Sequence, residues 1–238
     1  MFDKHINIIF KDIIFENNIN FYNLWHKTFK LIYPNLKINI NDAGWPKRIT
    51  KSFYLCKYFI ATKNLDGDFL ECGVFKGFSS LFLRFFEENI NNYKPHNYYL
   101  IDSFEGLSEI SNEDIPIKEN TYRNKKGDLK SNFDEVNNLF KKYHNINVVK
   151  GWIPEIFDKL DENNKYKFVH IDVDLYKPTL DTLNYVYDKV IKGGIIITDD
   201  FQSVLFPGNK KAWIEFFNKR KIYSWISLPS GQAILIKE

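Results

Sequence analysis

The sequence predicts an α/β protein: a mostly parallel sheet with helices on both faces and an antiparallel pair at one edge. Three observations predict it. Five short apolar segments of strand character recur after residue 66, stretches of helical length separate most of them, and four of the five end in or beside an acid. The chain has 238 residues, enough to bury a sizeable core without staples, and its 44% hydrophobic content exceeds what a disordered chain carries. One domain with elaborations fits that length better than two. Cys56 and Cys72 are too few for a disulfide framework, which points to a cytoplasmic protein. A net charge of +3, from 33 basic against 30 acidic residues, argues against a dedicated nucleic-acid binder.

The first residues, Met1-Phe2-Asp3-Lys4-His5 and on through Lys11, Asp12 and Glu16, bring charges too often for a signal peptide. No run approaches the ~20 apolar residues that cross a bilayer, so no membrane insertion is expected. Residues 1–42 alternate short apolar clusters with Asn and Lys and are expected to form irregular helices. With the turn-like Gly44-Trp45-Pro46 they make a cover segment over residues 1–50, ahead of a main domain over 51–238. A helix from Lys51 to Lys63 opens that domain.

The strands follow in order. Asp68-Phe69-Leu70-Glu71-Cys72 is a short buried strand ended by Gly73 and Gly77, with a helix from Ser79 to Glu88. Tyr98–Asp102 is the second strand. The polar, turn-rich residues 103–130 are too long for an ordinary connection and have the length of an active-site lid. Ser131-Asn132-Phe133-Asp134 matches a capping box that opens a helix to Tyr143. Asn147–Lys150, Phe168–Asp172 and Ile195–Asp199 are the third, fourth and fifth strands, with helices near 154–160 and 179–191 between them. After a helix over 209–220, Ser224–Leu228 and Ala233–Lys237 flank Pro229-Ser230-Gly231 and form the antiparallel pair.

Ligands of open α/β sheets bind outside the carboxyl ends of the strands. Glu71, Asp102, Asp172 and Asp199 all stand there, and acids grouped at one edge repel unless something cationic or hydrogen-bonding is bound. In the first half, Glu71-Cys72-Gly73-Val74-Phe75-Lys76-Gly77 turns on glycines where backbone can approach a ligand. Asp102 stands where such folds accept ribose hydroxyls. The loop reads G-x-x-x-G and lacks the G-x-G-x-x-G of dinucleotide binders, so an adenosine ligand without a pyrophosphate, S-adenosylmethionine, fits better than NAD. In the second half, Asp172-Val173-Asp174 and Asp199-Asp200 end strands one strand–helix–strand unit apart. Neighbouring strands lie ~4.8 Å apart, so these carboxylates converge as an oxygen-rich site for a hard cation such as Mg²⁺. A helix cap or loop acid is the plainer reading of any one of them.

These blocks, with Asp102-Ser103-Phe104-Glu105-Gly106-Leu107, Gly151-Trp152, Gly193-Gly194 and Pro207-Gly208-Asn209-Lys210-Lys211-Ala212, resemble the macrocin O-methyltransferase (TylF-like) family from about residue 66 to the C-terminus. Phe78 stands where that family often has another glycine. The resemblance implies a Rossmann-like class I methyltransferase fold with a seven-stranded sheet, S-adenosylmethionine, Mg²⁺ or another divalent cation such as Mn²⁺, and methylation of a sugar hydroxyl. The acceptor would be a nucleotide-linked sugar, a surface-polysaccharide precursor or a glycosylated natural product, and the assembly a homodimer or higher homo-oligomer. By position, Glu71 and Gly73 would line the methionine part of the cofactor, with Val74, Gly77 and Ser79 in the same loop and helix start. Asp102 would hold the ribose, Ser103 and Phe104 flank the adenosine, and Gly151-Trp152 border the adenine. Asp172, Asp199 and Asp200 would ligate the metal, Asp172 also bordering the cofactor.

In the mechanism so implied, a carboxylate takes the acceptor's proton. Asp174 is the candidate base, alternatively a further ligand, with His170 or His144 as other candidates. A histidine inside an apolar strand is more often a satisfied core residue. The rival reading is a glycosyltransferase, since Asp172-x-Asp174 also suits a metal and a sugar diphosphate, though it leaves Glu71, Asp102 and Asp199-Asp200 unexplained. Arg123-Asn124-Lys125-Lys126 would contact a phosphate of such a sugar or simply be solvated. Trp45, Trp213 and Trp225 would stack on a sugar or be packed in the core. Cys72 reads as a small apolar group and not a nucleophile.

Overall fold

A computed structural model describes residues 14–15, 19–37, 44–90, 93–116 and 124–238. They fall into two compact units, one of Met1–Asn64 with Gly77–Lys94 and one of Leu65–Lys76 with Pro95–Glu238. In the first, strands β1 (Ile14–Phe15) and β2 (Ile19–Asn20) pair antiparallel and lead into α1 (Phe21–Ile32), α2 (Gly44–Ala61) and α3 (Phe78–Glu87). Asn20 caps α1 by accepting from Asn23 N at 2.9 Å. The buried residues of α1 recur at helical spacing as Phe21, Trp25 and Phe29. Trp25 stacks on Phe29 with centroids 5.3 Å apart, meets Trp45 and Phe78 edge-on, and donates from Nε1 to Ser52 Oγ at 3.0 Å. Gly44-Trp45-Pro46 is therefore no turn but the first turn of α2. A proline is tolerated there because the first N–H groups of a helix have no intrahelical partner.

The second unit carries a seven-stranded sheet of β3 (Asp68–Cys72), β4 (Tyr98–Asp102), β5 (Ile146–Lys150), β6 (Tyr166–Ile171), β7 (Val190–Thr198), β8 (Ile226–Ser227) and β9 (Ala233–Ile236). Their spatial order is β5-β4-β3-β6-β7-β9-β8; the first five are parallel, and β9 runs antiparallel to both β7 and β8. The chain thus steps outward from β3 to β5, then returns to β6 on the other side of β3. That reversal is the switch point at which ligands bind in this class of sheet. The helices of this unit are α4 (Phe133–Phe140), α5 (Tyr176–Val186) and α6 (Pro207–Lys219).

Strand alternation sorts the sheet. Leu70, Cys72, Ile101, Val169, Ile171 and Ile196 join Leu183 and Val186 of α5 and Trp213, Phe216 and Phe217 of α6 in one apolar cluster. Phe69, Glu71, Leu100, Phe168 and His170 point to the other face and are buried as well. Burial on both faces explains why these strands are continuous apolar runs without alternation. Three local readings are corrected. Asn132, not Ser131, caps α4, accepting from Asp134 N at 2.9 Å and Glu135 N at 3.3 Å, and the helix stops at Phe140. The 154–160 helix is a 3₁₀ turn, Glu155–Lys159, after a cis Ile153–Pro154 bond. The fifth strand begins at Val190 and carries Gly193 and Gly194 within it. Trp213 is fully buried, Trp45 is buried in its own unit, and Trp225 packs on Phe201 and Trp213, so packing is the fate of all three. No helix among the described residues is long and apolar enough to cross a membrane.

Trp213→Ala should cost about 3–5 kcal/mol in denaturant unfolding. A loss under about 1 kcal/mol would show that the core between α5, α6 and the sheet does not rest on it.

Candidate active site at the carboxyl edge of the sheet

Three non-glycine residues with left-handed backbone follow three of the parallel strands: Phe75 (φ 49°) after β3, Phe104 (φ 58°) after β4 and Asp174 (φ 60°) after β6. Such conformations cost about 1–3 kcal/mol each and persist only where surrounding contacts fix them. Asp102 fixes two of the loops. Its Oδ2 accepts from Val74 N and Phe75 N, both at 2.8 Å, and its Oδ1 accepts from Phe104 N at 2.7 Å. The residue expected at a ribose is seen here to organise the glycine loop. Its carbonyl accepts from Gly151 N at 2.9 Å, which draws Gly151-Trp152 to the same edge. Ser103 Oγ accepts from Glu105 N at 3.1 Å and donates to Gly106 O at 3.2 Å. Beside these, Phe104, Phe133, Lys130 and Lys150 help line a pocket of about 580 Å³.

Gly73 joins the glycine loop to the acidic loop. Its φ is +92°, and a Cβ there would overlap the Asp172 carbonyl oxygen. Gly73 N donates to Ile101 O of β4 and Asp172 N donates to Cys72 O, each at 2.8 Å, so β3 stays in register with both β4 and β6 to its end. Past Asp172 the chain turns sharply, with Leu175 N donating to Val173 O at 2.5 Å. Asp172, Asp174 and Asp200 converge there, one carboxylate oxygen from each lying within 4.8 Å of the others. This all-oxygen donor set suits a hard divalent cation such as Mg²⁺ or Mn²⁺. Asp199 stands outside that grouping: its Oδ1 accepts from Gln232 Nε2 at 2.8 Å and lies 3.7 Å from His170 Nε2.

Glu71 and His170 are direct register partners on β3 and β6. Both are buried, with Glu71 Oε1 2.8 Å from His170 Nδ1. Burial alone would lower the pKa of His170, but the flanking carboxylates of Asp199 and Glu71, with Asp172 behind them, outweigh it and raise it to about 10. At 3.7 Å the Asp199 approach is an ion-pair distance, so the Glu71 hydrogen bond is what fixes the ring. His170 is thus held within the sheet, and neither nitrogen faces an open edge. His144 is exposed just before β5 begins, at the amino edge, which removes it as a base for this site. Burial pushes the Cys72 thiol up, against any role as a nucleophile. Gly77 (φ 79°) and Ser79 lie in the first unit, at the N-cap and first turn of α3. Arg123 lies outside the described residues, while Asn124 Nδ2 donates to Leu205 O at 2.7 Å and Lys126 pairs with Glu109. The sequence reading missed Gln232, which has no local signal. The Glu71–His170 pair was legible as an acid and a histidine inside apolar strands, but only the register makes them partners.

The strand order, the switch point and the acids grouped beside a glycine loop define a Rossmann-like class I methyltransferase fold. A solved calicheamicin methyltransferase, CalS11, shares it with a TM-score of 0.68, at 18% identity over 90% of this chain and 91% of that one. Residues 46–230 match the model of the macrocin-O-methyltransferase (TylF) family, and the chain belongs to that family. Among curated relatives, an 8-demethyl-8-(2,3-dimethoxy-alpha-L-rhamnosyl)-tetracenomycin-C 4'-O-methyltransferase of Streptomyces olivaceus is 25% identical over 160 residues. A demethyldecarbamoylnovobiocin O-methyltransferase of Streptomyces niveus is 24% identical over 166. The matches cover 65% and 68% of this chain but only 60% and 62% of those relatives.

Two outcomes are expected. Gly73→Ala, strained at its own φ and overlapping Asp172, should cost on the order of 3 kcal/mol in chemical unfolding; unchanged stability would mean the crossing tolerates a side chain. His170 gains charge on folding. Its stabilisation is fully present below the unfolded pKa of ~6.5 and is lost as pH rises through about 10. In chelator-treated protein the gap in Tm between wild type and His170→Gln should therefore narrow from pH 7 to pH 10.5, and a constant gap would contradict the charged pair.

Proposed function

We propose that this chain is an S-adenosylmethionine-dependent O-methyltransferase that methylates a hydroxyl of a sugar-containing acceptor with the help of a divalent metal. The observation that carries the reading is the convergence of Asp172, Asp174 and Asp200 beside a glycine loop that Gly73 presses against Asp172. Family membership supports the reaction class, and the rhamnosyl group in the name of the tetracenomycin relative supports a sugar acceptor. The acceptor class is a nucleotide-linked sugar, a polysaccharide precursor or a glycosylated natural product. The glycosyltransferase reading is not favoured, because it assigns no part to Asp102 or to Asp199-Asp200 and the family match opposes it.

Asp102, Ser103 and Phe104 bind the nucleoside end of the cofactor, with Glu71 and the Gly73 loop at the methionine end. Asp172 and Asp200 would hold the cation, with Asp199, whose Oδ1 accepts from Gln232 in this structure, turned to serve as the third ligand. When bound, it supplies the Lewis acidity that lowers the pKa of an acceptor hydroxyl. Asp174 lies just past the end of β6 on its left-handed turn and would take the proton of the acceptor hydroxyl. The cofactor would supply a methyl group on a sulfonium, whose S–CH₃ bond would break as the methyl passes to the acceptor oxygen, leaving a neutral thioether. A second reading follows from the observed grouping: Asp174 is the third ligand, and Asp199 is a buried anchor for Gln232.

S-adenosylhomocysteine should bind in calorimetry with Mg²⁺ and with chelator alike, while Asp172→Asn and Asp200→Asn abolish methyl transfer and leave that binding intact. Binding of a UDP- or GDP-sugar with metal, and none of S-adenosylhomocysteine, would overturn the reading. Asp174→Asn should lower turnover roughly 10²–10⁴-fold. Unchanged Mn²⁺ affinity in that variant makes Asp174 the base, and a weakened one makes it a ligand.

A further inference from the structure

We propose that Asp114 is a positioning residue: its carboxylate, delivered from the long segment after β4, fixes the turn over residues 172–175 that carries two of the three converging acids. The inference rests on the metal reading above. Asp114 closes a 3₁₀ turn, Asn112–Asp114, and is only 3% exposed. Its Oδ2 accepts from Ser111 N at 3.1 Å and Ser111 Oγ at 2.6 Å. Its Oδ1 accepts from Tyr176 N at 2.7 Å, across 62 positions of sequence. Tyr176 opens α5, and the N-cap position before it is Leu175, which has no side chain able to cap. Asp114 is therefore the helix cap, supplied from elsewhere in the chain, where an anion also meets the positive end of the helix dipole.

What this cap holds is the acidic turn. The turn is clamped upstream by Asp172 N on Cys72 O and downstream by Tyr176 N on Asp114. Between the clamps stand the left-handed Asp174 and the tight Leu175–Val173 bond, a conformation that surrounding contacts must enforce. The structure leaves room for the carboxylate by placing Gly208 at the start of α6. A Cβ at Gly208 would overlap Asp114 Oδ1 and stand 2.8 Å from Tyr176 N. The segment around Asp114 is pinned further by Lys211 Nζ, which donates to Glu113 O at 2.8 Å.

The test is Mn²⁺ binding to chelator-treated full-length protein, read by electron paramagnetic resonance without cofactor or acceptor, with S-adenosylhomocysteine binding as the check of folding. Asp114→Ala should weaken Mn²⁺ about 10–100-fold, the usual effect of removing a group that orients a ligand. Asp114→Asn keeps a carbonyl acceptor for Tyr176 N–H and should stay within about threefold of wild type. Gly208→Ala should reproduce the loss, because its methyl would overlap the carboxylate and also crowd Tyr176 at the N–H that the carboxylate accepts. If Asp114→Ala does not fold, Asp114→Leu, which fills similar space without an acceptor for Tyr176 N–H, takes its place. Wild-type protein that binds no Mn²⁺ sinks the metal reading and this inference with it. Wild-type binding that both folded variants retain overturns this inference only, leaving Asp114 a loop anchor.

Discussion

At Gly73 the end of β3 lies so close to the Asp172 carbonyl, at the end of β6, that no side chain fits between them. The close approach follows from the switch point. β3 and β6 are neighbours in space but nearly a hundred residues apart in sequence, and each turns away from the sheet just past this point. The glycine loop and the acidic turn are therefore held together by main chain, which leaves their side chains for chemistry.

Strain is concentrated at that edge. Phe75, Phe104 and Asp174 adopt left-handed conformations just past their strands; Asp102 bonds to the first two, and Asp114 bonds to the chain two residues beyond the third. Asp102 accepts the N–H groups of Val74, Phe75 and Phe104, and Asp114 accepts the one that follows the Asp174 turn. Charged acceptors make the stronger class of hydrogen bond, which is why carboxylates do this work at two separate loops.

Beneath the edge lies a buried polar chain. Glu71, His170, Asp199 and Gln232 run across β3, β6 and the residues just past β7 and ahead of β9. A carboxylate so deeply buried is costly unless paired, and the histidine between Glu71 and Asp199 lets both acids occupy one region of the sheet. Asp199 is thereby directed toward Gln232 and His170, while Asp200, the next residue, joins Asp172 and Asp174. Successive residues past a strand end point to different sides, and that alternation separates the two neighbours.

The sequence by itself determined the sheet class, the antiparallel edge pair, the strand ends and the acids on them, because both-face burial writes itself as apolar runs and chain reversals need glycine or polar residues. It also carried the family resemblance, through ordered blocks from Glu71 to Ala212. Local caps were less legible: Ser131 and Asn132 are both good caps by type, and backbone geometry chose Asn132. Gly44-Trp45-Pro46 has the composition of a turn, yet aromatic packing of Trp45 on Trp25 and Phe29 draws it into a helix. Only the tertiary structure decided which acids converge, that Asp102 organises two loops, that His170 pairs with Glu71, and that Asp114 caps α5. Each is a contact between residues far apart in the chain, set by strand register and loop path, and no local pattern of residue types encodes either.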